Sequence, residues 1–135
     1  MLAKLETYGF DERITNWIKD FLRNRRQRVV MGSSSFNWED VTSGVPQGSV
    51  LGPLLFVIFI NDMPQVVHHI LKLFADDSNL MGLIRKQNDH HTMQSDLDAL
   101  TKWAEDWKMV FHPDKCKLMV IDKDKQTWEC LYHTT

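Results

Sequence analysis

Apolar residues recur at Ile14, Trp17, Ile18, Phe21 and Leu22, a spacing of i, i+3, i+4, i+7 and i+8 that lays one stripe along a helix. Asp11 is a suitable N-cap for it, and the pattern stops near Asn24. Residues 27–31 and 36–42 then read as two short strands joined by Gly32-Ser33-Ser34-Ser35, a polar turn with a glycine free to take positive φ. The densest apolar run, residues 54–60, follows Gly52-Pro53 and predicts a buried helix from about 52 to 62, closed by Pro64. Residues 70–74 and 79–83 flank Ala75-Asp76-Asp77-Ser78 and predict a second hairpin with an acidic tip. Met93, Leu97, Leu100, Ala104 and Trp107 repeat at four, three, four and three, an amphipathic helix capped near Asn88 or Asp89 and ended by Pro113. Residues 117–121 predict a last short strand, and no pattern is legible from Asp122 onward. Trp17, Trp103 and Trp107 lie on or beside the helical stripes, which predicts core packing for all three.

Composition narrows the class. A chain of 135 residues, 43% hydrophobic and 25% charged, is one ordinary globular domain with enough core to dispense with disulfides. Cys116 and Cys130 form no metal-type pair, and with no secretory leader in view the expectation is reduced thiols in an intracellular setting, nucleus or cytoplasm left open. The apolar run falls short of the ~20 residues that span a bilayer, so no membrane partner is expected. A net charge of −2 is unlike a dedicated nucleic-acid binder, but Arg23, Arg25, Arg26 and Arg28 crowd into six residues. That cluster suits either phosphate binding or a helix C-terminus whose macrodipole favours positive charge.

The chemistry concentrates at Asp76-Asp77. Nucleotidyl transfer to a primer 3′-hydroxyl requires charge stabilisation on the attacking and leaving oxygens, which two Mg²⁺ ions roughly 3.5–4 Å apart supply. Mg²⁺ takes oxygen ligands in octahedral geometry and keeps several waters, so a few carboxylates on rigid backbone suffice. Adjacent acids at a hairpin tip meet that need, although Asp-Asp is also a common solvated turn dipeptide. A Gly-Val-Pro-Gln-Gly loop opening an apolar helix, about thirty residues upstream, favours the first reading.

Residues 42–56, Thr-Ser-Gly-Val-Pro-Gln-Gly-Ser-Val-Leu-Gly-Pro-Leu-Leu-Phe, followed by Ile60-Asn61-Asp62, closely resemble motif B of non-LTR retrotransposon reverse transcriptases. Leu73-Phe74-Ala75-Asp76-Asp77 resembles motif C, and Trp107-Lys108-Met109 with residues 113–119 resembles motif D, in the family's order and spacing. The similarity reaches back to residues 5–10 and forward to about Ile121. The resemblance implies an α+β fold, a partial polymerase palm with antiparallel hairpins packed on helices, over residues 1–121, with 122–135 unassigned.

It also implies roles. Asp76 becomes the principal metal ligand and Asp77 the weaker one. Phe74 and Ala75 lie beside the primer end. Pro46, Gln47 and Gly48 approach the nascent base pair and template. Lys115 becomes a proton donor to pyrophosphate or a charge near it. The implied cofactor is Mg²⁺, two ions in the complete enzyme, with Mn²⁺ as the alternative. The implied partners are an RNA template, a DNA primer and deoxynucleoside triphosphates.

Two departures stand out. His112 occupies a position where the family usually has Asn. More consequentially, the family places motif A, a central strand with the third metal-binding aspartate, just before the segment at which this chain starts. Nothing between Met1 and Tyr8 matches it, and Glu6 and Asp11 lie in or next to helices. The sequence therefore leaves three readings: an inactive fragment of an RNA-directed DNA polymerase, a non-catalytic remnant binding nucleic acid or protein, or an unrelated α+β binding domain. A zinc site at His68-His69 or His90-His91 is disfavoured, because adjacent histidines in a helix or strand point in different directions.

Overall fold

A computed structural model describes residues 1–121, in two compact units that divide after Asn61. The first unit opens with a short helix absent from the sequence expectation, α1 (Leu2–Thr7), followed by α2 (Glu12–Leu22). Between them Gly9 takes φ +78, and its N–H and that of Phe10 donate to Glu6 and Leu5 carbonyls, closing α1 in a left-handed cap. Asp11 caps α2 as expected, its carboxylate accepting the Arg13 N–H at 2.8 Å.

The apolar stripe of α2 is buried mainly towards its C-terminal end. Ile18 joins Leu5 and Leu55 in a core ringed by Phe21, Leu22, Val45, Leu51 and Ile58. Ile14 and Trp17 stay about half exposed, so the core role expected of Trp17 is corrected: it stacks on Phe21 at 5.9 Å beside the core rather than inside it.

The first hairpin exists but is interrupted. β1 (Arg26–Gln27) pairs with β4 (Glu39–Asp40), and β2 (Val30–Met31) with β3 (Ser34–Ser35). Register shifts by one residue between the two ladders, because Val29 accepts from the Phe36 N–H and leaves Arg28 facing both Asn37 and Trp38. That is a bulge, and it splits one long pair of strands into two short ones. The turn is two residues, Gly32-Ser33, with Gly32 at φ +59.

α3 (Leu51–Ile60) starts and ends within two residues of expectation. Pro53 falls in its first turn, where no N–H is needed. The helix is apolar on every side yet only partly covered: Leu55 and Ile60 are buried, while Leu54 and Val57 remain over half exposed. Buried Lys4 secures its C-terminal end, donating from Nζ to the Phe59 carbonyl at 2.5 Å and lying over the Phe59 ring.

In the second unit a 3₁₀ turn, Met63–Val66, packs against β5 (Ile70–Phe74) and α4 (Gln87–Asp106). Met63, Leu71, Met93, Leu100, Trp103 and Ala104 are buried in this unit. β5 pairs antiparallel with β6 (Asp77–Met81), from Ile70↔Met81 to Phe74↔Asp77. Alternation divides the hairpin: Leu71, Leu73 and Leu80 turn inward, while Ile70, Lys72, Phe74, Asp77, Asn79 and Met81 are exposed.

Three expectations are corrected here. The acidic turn is two residues rather than four, so β6 begins at Asp77. α4 begins at Gln87, with Asp89 in its first turn accepting the Arg85 and Lys86 N–H groups at 2.7 and 2.9 Å. Residues 117–121 form no strand, since no described segment offers them a ladder partner. The observed mixture of helices and small antiparallel sheets is compatible with the α+β class.

Candidate active site

The acidic tip is built by the ladder below it. With Phe74 and Asp77 paired, only Ala75 and Asp76 bridge the strands, and Ala75 adopts φ +52. Glycine is the usual residue at such a point in a two-residue hairpin turn. An L-residue there carries strain of about 1–2 kcal/mol. Asp76 thus sits on the turn itself and Asp77 at the first strand position, directly across from Phe74 and on the same face. Both carboxylates are exposed, and Phe74 is 80% exposed beside them.

Carboxylate oxygens suit a hard divalent cation, and two neighbouring acids supply part of a ligand set. Among the described residues no group of three or more His, Cys, Asp or Glu side chains is placed to hold a metal ion. Glu6 lies in α1 and Asp11 caps α2, both in the first unit.

Lys115 stands in a 3₁₀ turn, Pro113–Lys115, of the same unit and is exposed. His112 precedes that turn and makes no side-chain cap to it. Trp107 and Lys108 end α4: Lys108 takes φ +57, its N–H donates to Glu105 and that of Met109 to Ala104. Trp107 is half-buried and packs at 6.5 Å from buried Trp103.

Pro46, Gln47 and Gly48 lie in the first unit, in the loop ahead of α3. The hydroxyl of Ser49 donates to the Pro46 carbonyl at 2.7 Å and accepts the Gly52 N–H at 3.0 Å, which ties the loop to the helix start. Gly48 takes φ +79, and a Cβ on buried Gly52 would come within 3.1 Å of the Pro46 carbonyl. Gln47 and Gly48 themselves are exposed.

The four arginines do different things. Arg25 directs its guanidinium at backbone: Nε donates to Leu22 at 3.0 Å, and Nη2 to Ser43 at 3.1 Å and Gly44 at 2.6 Å. Arg26 pairs with Asp40 at 3.2 Å, and Arg28 lies over the Trp38 ring at 4.7 Å. Arg23 is exposed at the end of α2. An open cleft of about 510 Å³ is lined by Asn24, Arg25, Arg26, Asp40 and Val41.

One arrangement escaped the sequence reading. Asp96, fully buried in α4, accepts the His68 N–H and ring Nδ1 on one oxygen and those of His69 on the other, all at 2.8–2.9 Å. Burial alone would raise its carboxyl. The N–H groups of His68 and His69, then their rings, outweigh burial and hold it at about 2. The expectation that adjacent histidines diverge is corrected: His68 and His69 occupy a bend ahead of β5, and both rings fold back on one carboxylate. The signal was present, since Asp96 falls between Met93 and Leu100 on the apolar stripe of α4.

The profile of the family described as reverse transcriptase (RNA-dependent DNA polymerase) matches residues 1–133. The chain belongs to that family. It is 32% identical over 108 residues to the RNA-directed DNA polymerase from mobile element jockey of Drosophila melanogaster, covering 73% of this chain and 12% of that protein. It is 34% identical over 116 residues to a probable RNA-directed DNA polymerase from transposon X-element of the same fly, covering 82% and 13%. A third relative there, the probable RNA-directed DNA polymerase from transposon BS, is 33% identical over 107 residues, covering 73% and 12%. The chain thus spans about an eighth of the length of the relatives it matches. No solved structure matches it. Among the described residues no helix is long and apolar enough to cross a membrane.

Proposed function

We propose that residues 1–121 are part of the palm of an RNA-directed DNA polymerase, with Asp76 and Asp77 as its metal-binding carboxylates. The observation that carries this reading is the tip itself: two adjacent acids pinned by ladder pairs on both sides, next to a strained Ala75. Backbone strain of this kind clusters at functional sites. When bound there, two Mg²⁺ or Mn²⁺ ions supply charge stabilisation to the attacking and leaving oxygens.

Asp76 contributes the main ligand oxygens and Asp77 the weaker ones. Phe74, exposed on the Asp77 face, and Ala75 border the primer end. Pro46, Gln47 and Gly48 meet the nascent pair, where a glycine permits close backbone approach. Lys115 donates a proton or positive charge to pyrophosphate. Arg23, Arg26 and Arg28 add positive charge towards a template or primer phosphate chain, while the Arg25 guanidinium is engaged with backbone carbonyls. The substrates are an RNA template, a DNA primer and deoxynucleoside triphosphates.

The same reading makes the 135-residue chain inactive by itself, because the third aspartate belongs to a motif A that these residues do not contain. A second reading, a remnant that binds nucleic acid or protein without catalysis through exposed sheet, is favoured by Ile70, Phe74 and Met81, which stay exposed on the second hairpin. Primer extension separates them. We expect no extension by this chain, extension once an upstream segment bearing motif A is joined to it, and loss of that extension by 10³-fold or more, roughly 4 kcal/mol, on Asp76→Ala. Extension surviving Asp76→Ala would sink the assignment of the tip. An inactive joined protein that still binds oligonucleotide would favour the remnant.

A further inference from the structure

Arg25 touches three carbonyls and no acid in the hydrogen bonds of its side chain. One belongs to Leu22, the last residue of α2, whose carbonyl has no partner within the helix. The other two, Ser43 and Gly44, start the loop that carries Pro46, Gln47 and Gly48. The backbone carbonyl of Arg25 also accepts the Val41 N–H at 2.8 Å, so one residue joins the end of α2, the hairpin and the loop.

Downstream the loop is held again, by Val45 packing on the core and by Ser49 bonding Pro46 and Gly52. Gln47 and Gly48 are the exposed span between these two anchors. We propose that Arg25 is a positioning residue, fixing the conformation in which the loop presents Gln47 and Gly48, and that this is its principal role rather than phosphate contact. The proposal rests on the polymerase reading for what Gln47 and Gly48 meet. The clamp itself is geometry within one unit.

Guanidinium chemistry explains why arginine occupies this place. Its planar fork reaches carbonyls on two sides at once, whereas a lysine ammonium is a single point charge. A phosphate contact makes the opposite demand, since charge alone largely satisfies it. Arg25→Lys therefore discriminates between the two roles, and Arg25→Gln removes both.

The test is backbone hydrogen exchange on the 135-residue chain, combined with the salt dependence of its affinity for a labelled single-stranded RNA oligonucleotide. We expect both Arg25→Lys and Arg25→Gln to speed exchange at the Ser49 and Gly52 N–H groups, the amides bonded within the loop, by about tenfold or more, with α1 and α2 unchanged, while the salt slope stays as in the parent. Lysine preserving slow loop exchange, with glutamine alone lowering the slope by about one phosphate, would overturn the proposal in favour of direct contact. Faster exchange throughout residues 1–61 would overturn it in favour of a general folding role. The exchange measurement contains no primer or nucleotide, so its failure is distinguishable from failure of the polymerase reading, which primer extension decides.

Discussion

Ala75 and Lys108 hold the same left-handed backbone, at φ +52 and +57, in two different settings. At Ala75 the strain sits in the two-residue turn, beside Asp76 and just ahead of Asp77, where under the proposed function a rigid tip would serve ligand placement. At Lys108 it closes α4 with the two bonds of a Schellman cap, from Lys108 N–H to Glu105 and from Met109 N–H to Ala104. Gly9 closes α1 through the same pair of bonds without the steric penalty. Lys108→Gly should therefore stabilise the second unit by about 0.5–1 kcal/mol, the relief of left-handed strain less the extra freedom of glycine in the unfolded chain. A higher urea midpoint with an unchanged slope would bear this out. A lower midpoint would mean that the lysine side chain contributes more than its backbone strain costs.

At the scale of elements, the second hairpin is tied to α4 by one buried carboxylate. Asp96 satisfies two backbone N–H groups and two imidazoles just before β5 begins. Its pKa is depressed in the folded state, so its stabilisation is fully present above the ordinary aspartate value near 3.8 and is lost as pH falls through about 2. The contribution amounts to about 2 kcal/mol. Denaturant unfolding should accordingly show stability dropping by about that amount between pH 4.5 and 2, and the drop should shrink in Asp96→Asn. An Asp96→Asn protein with the same acid dependence as the parent would refute the assignment.

The elements also show what the sequence could convey. Periodicity found α2 and α4 because each has an apolar face, the dense apolar run after Gly52-Pro53 found α3, and the Asp-Asp turn with its flanking apolar runs found the second hairpin. The turn length was misjudged because Ser78 looks like a turn residue but pairs with Leu73. The bulge opposite Arg28 and the pairing of Asp96 with two histidines depend on contacts between segments, which no local pattern records. Membership of the family was legible as a resemblance in motifs B, C and D, while the roles of their residues belong to the proposed function. The clamp from Arg25 was not, because four nearby arginines look alike until each one's partner is known.

Over the whole molecule, apolar surface is distributed unusually. Val50, the N-cap of α3, and Leu54 and Val57 within the helix, at i, i+4 and i+7, are 94%, 54% and 52% exposed. Val29, Val30, Met31 and Phe36 of the first hairpin and Ile70, Phe74 and Met81 of the second are exposed as well. Soluble monomers rarely leave large contiguous apolar patches uncovered. The chain matches about an eighth of each relative's length, and under the proposed function neighbouring parts of the polymerase would pack on such faces. The 135-residue chain should then bind a dye such as ANS strongly and self-associate as its concentration rises. Joined to upstream polymerase sequence, it should bind several-fold less dye per chain, with the loss concentrated at α3 and the β5–β6 face in hydrogen exchange. Equal dye binding by the short and the extended protein would mean that these faces are native surface, and would shift the weight towards a stand-alone binding module.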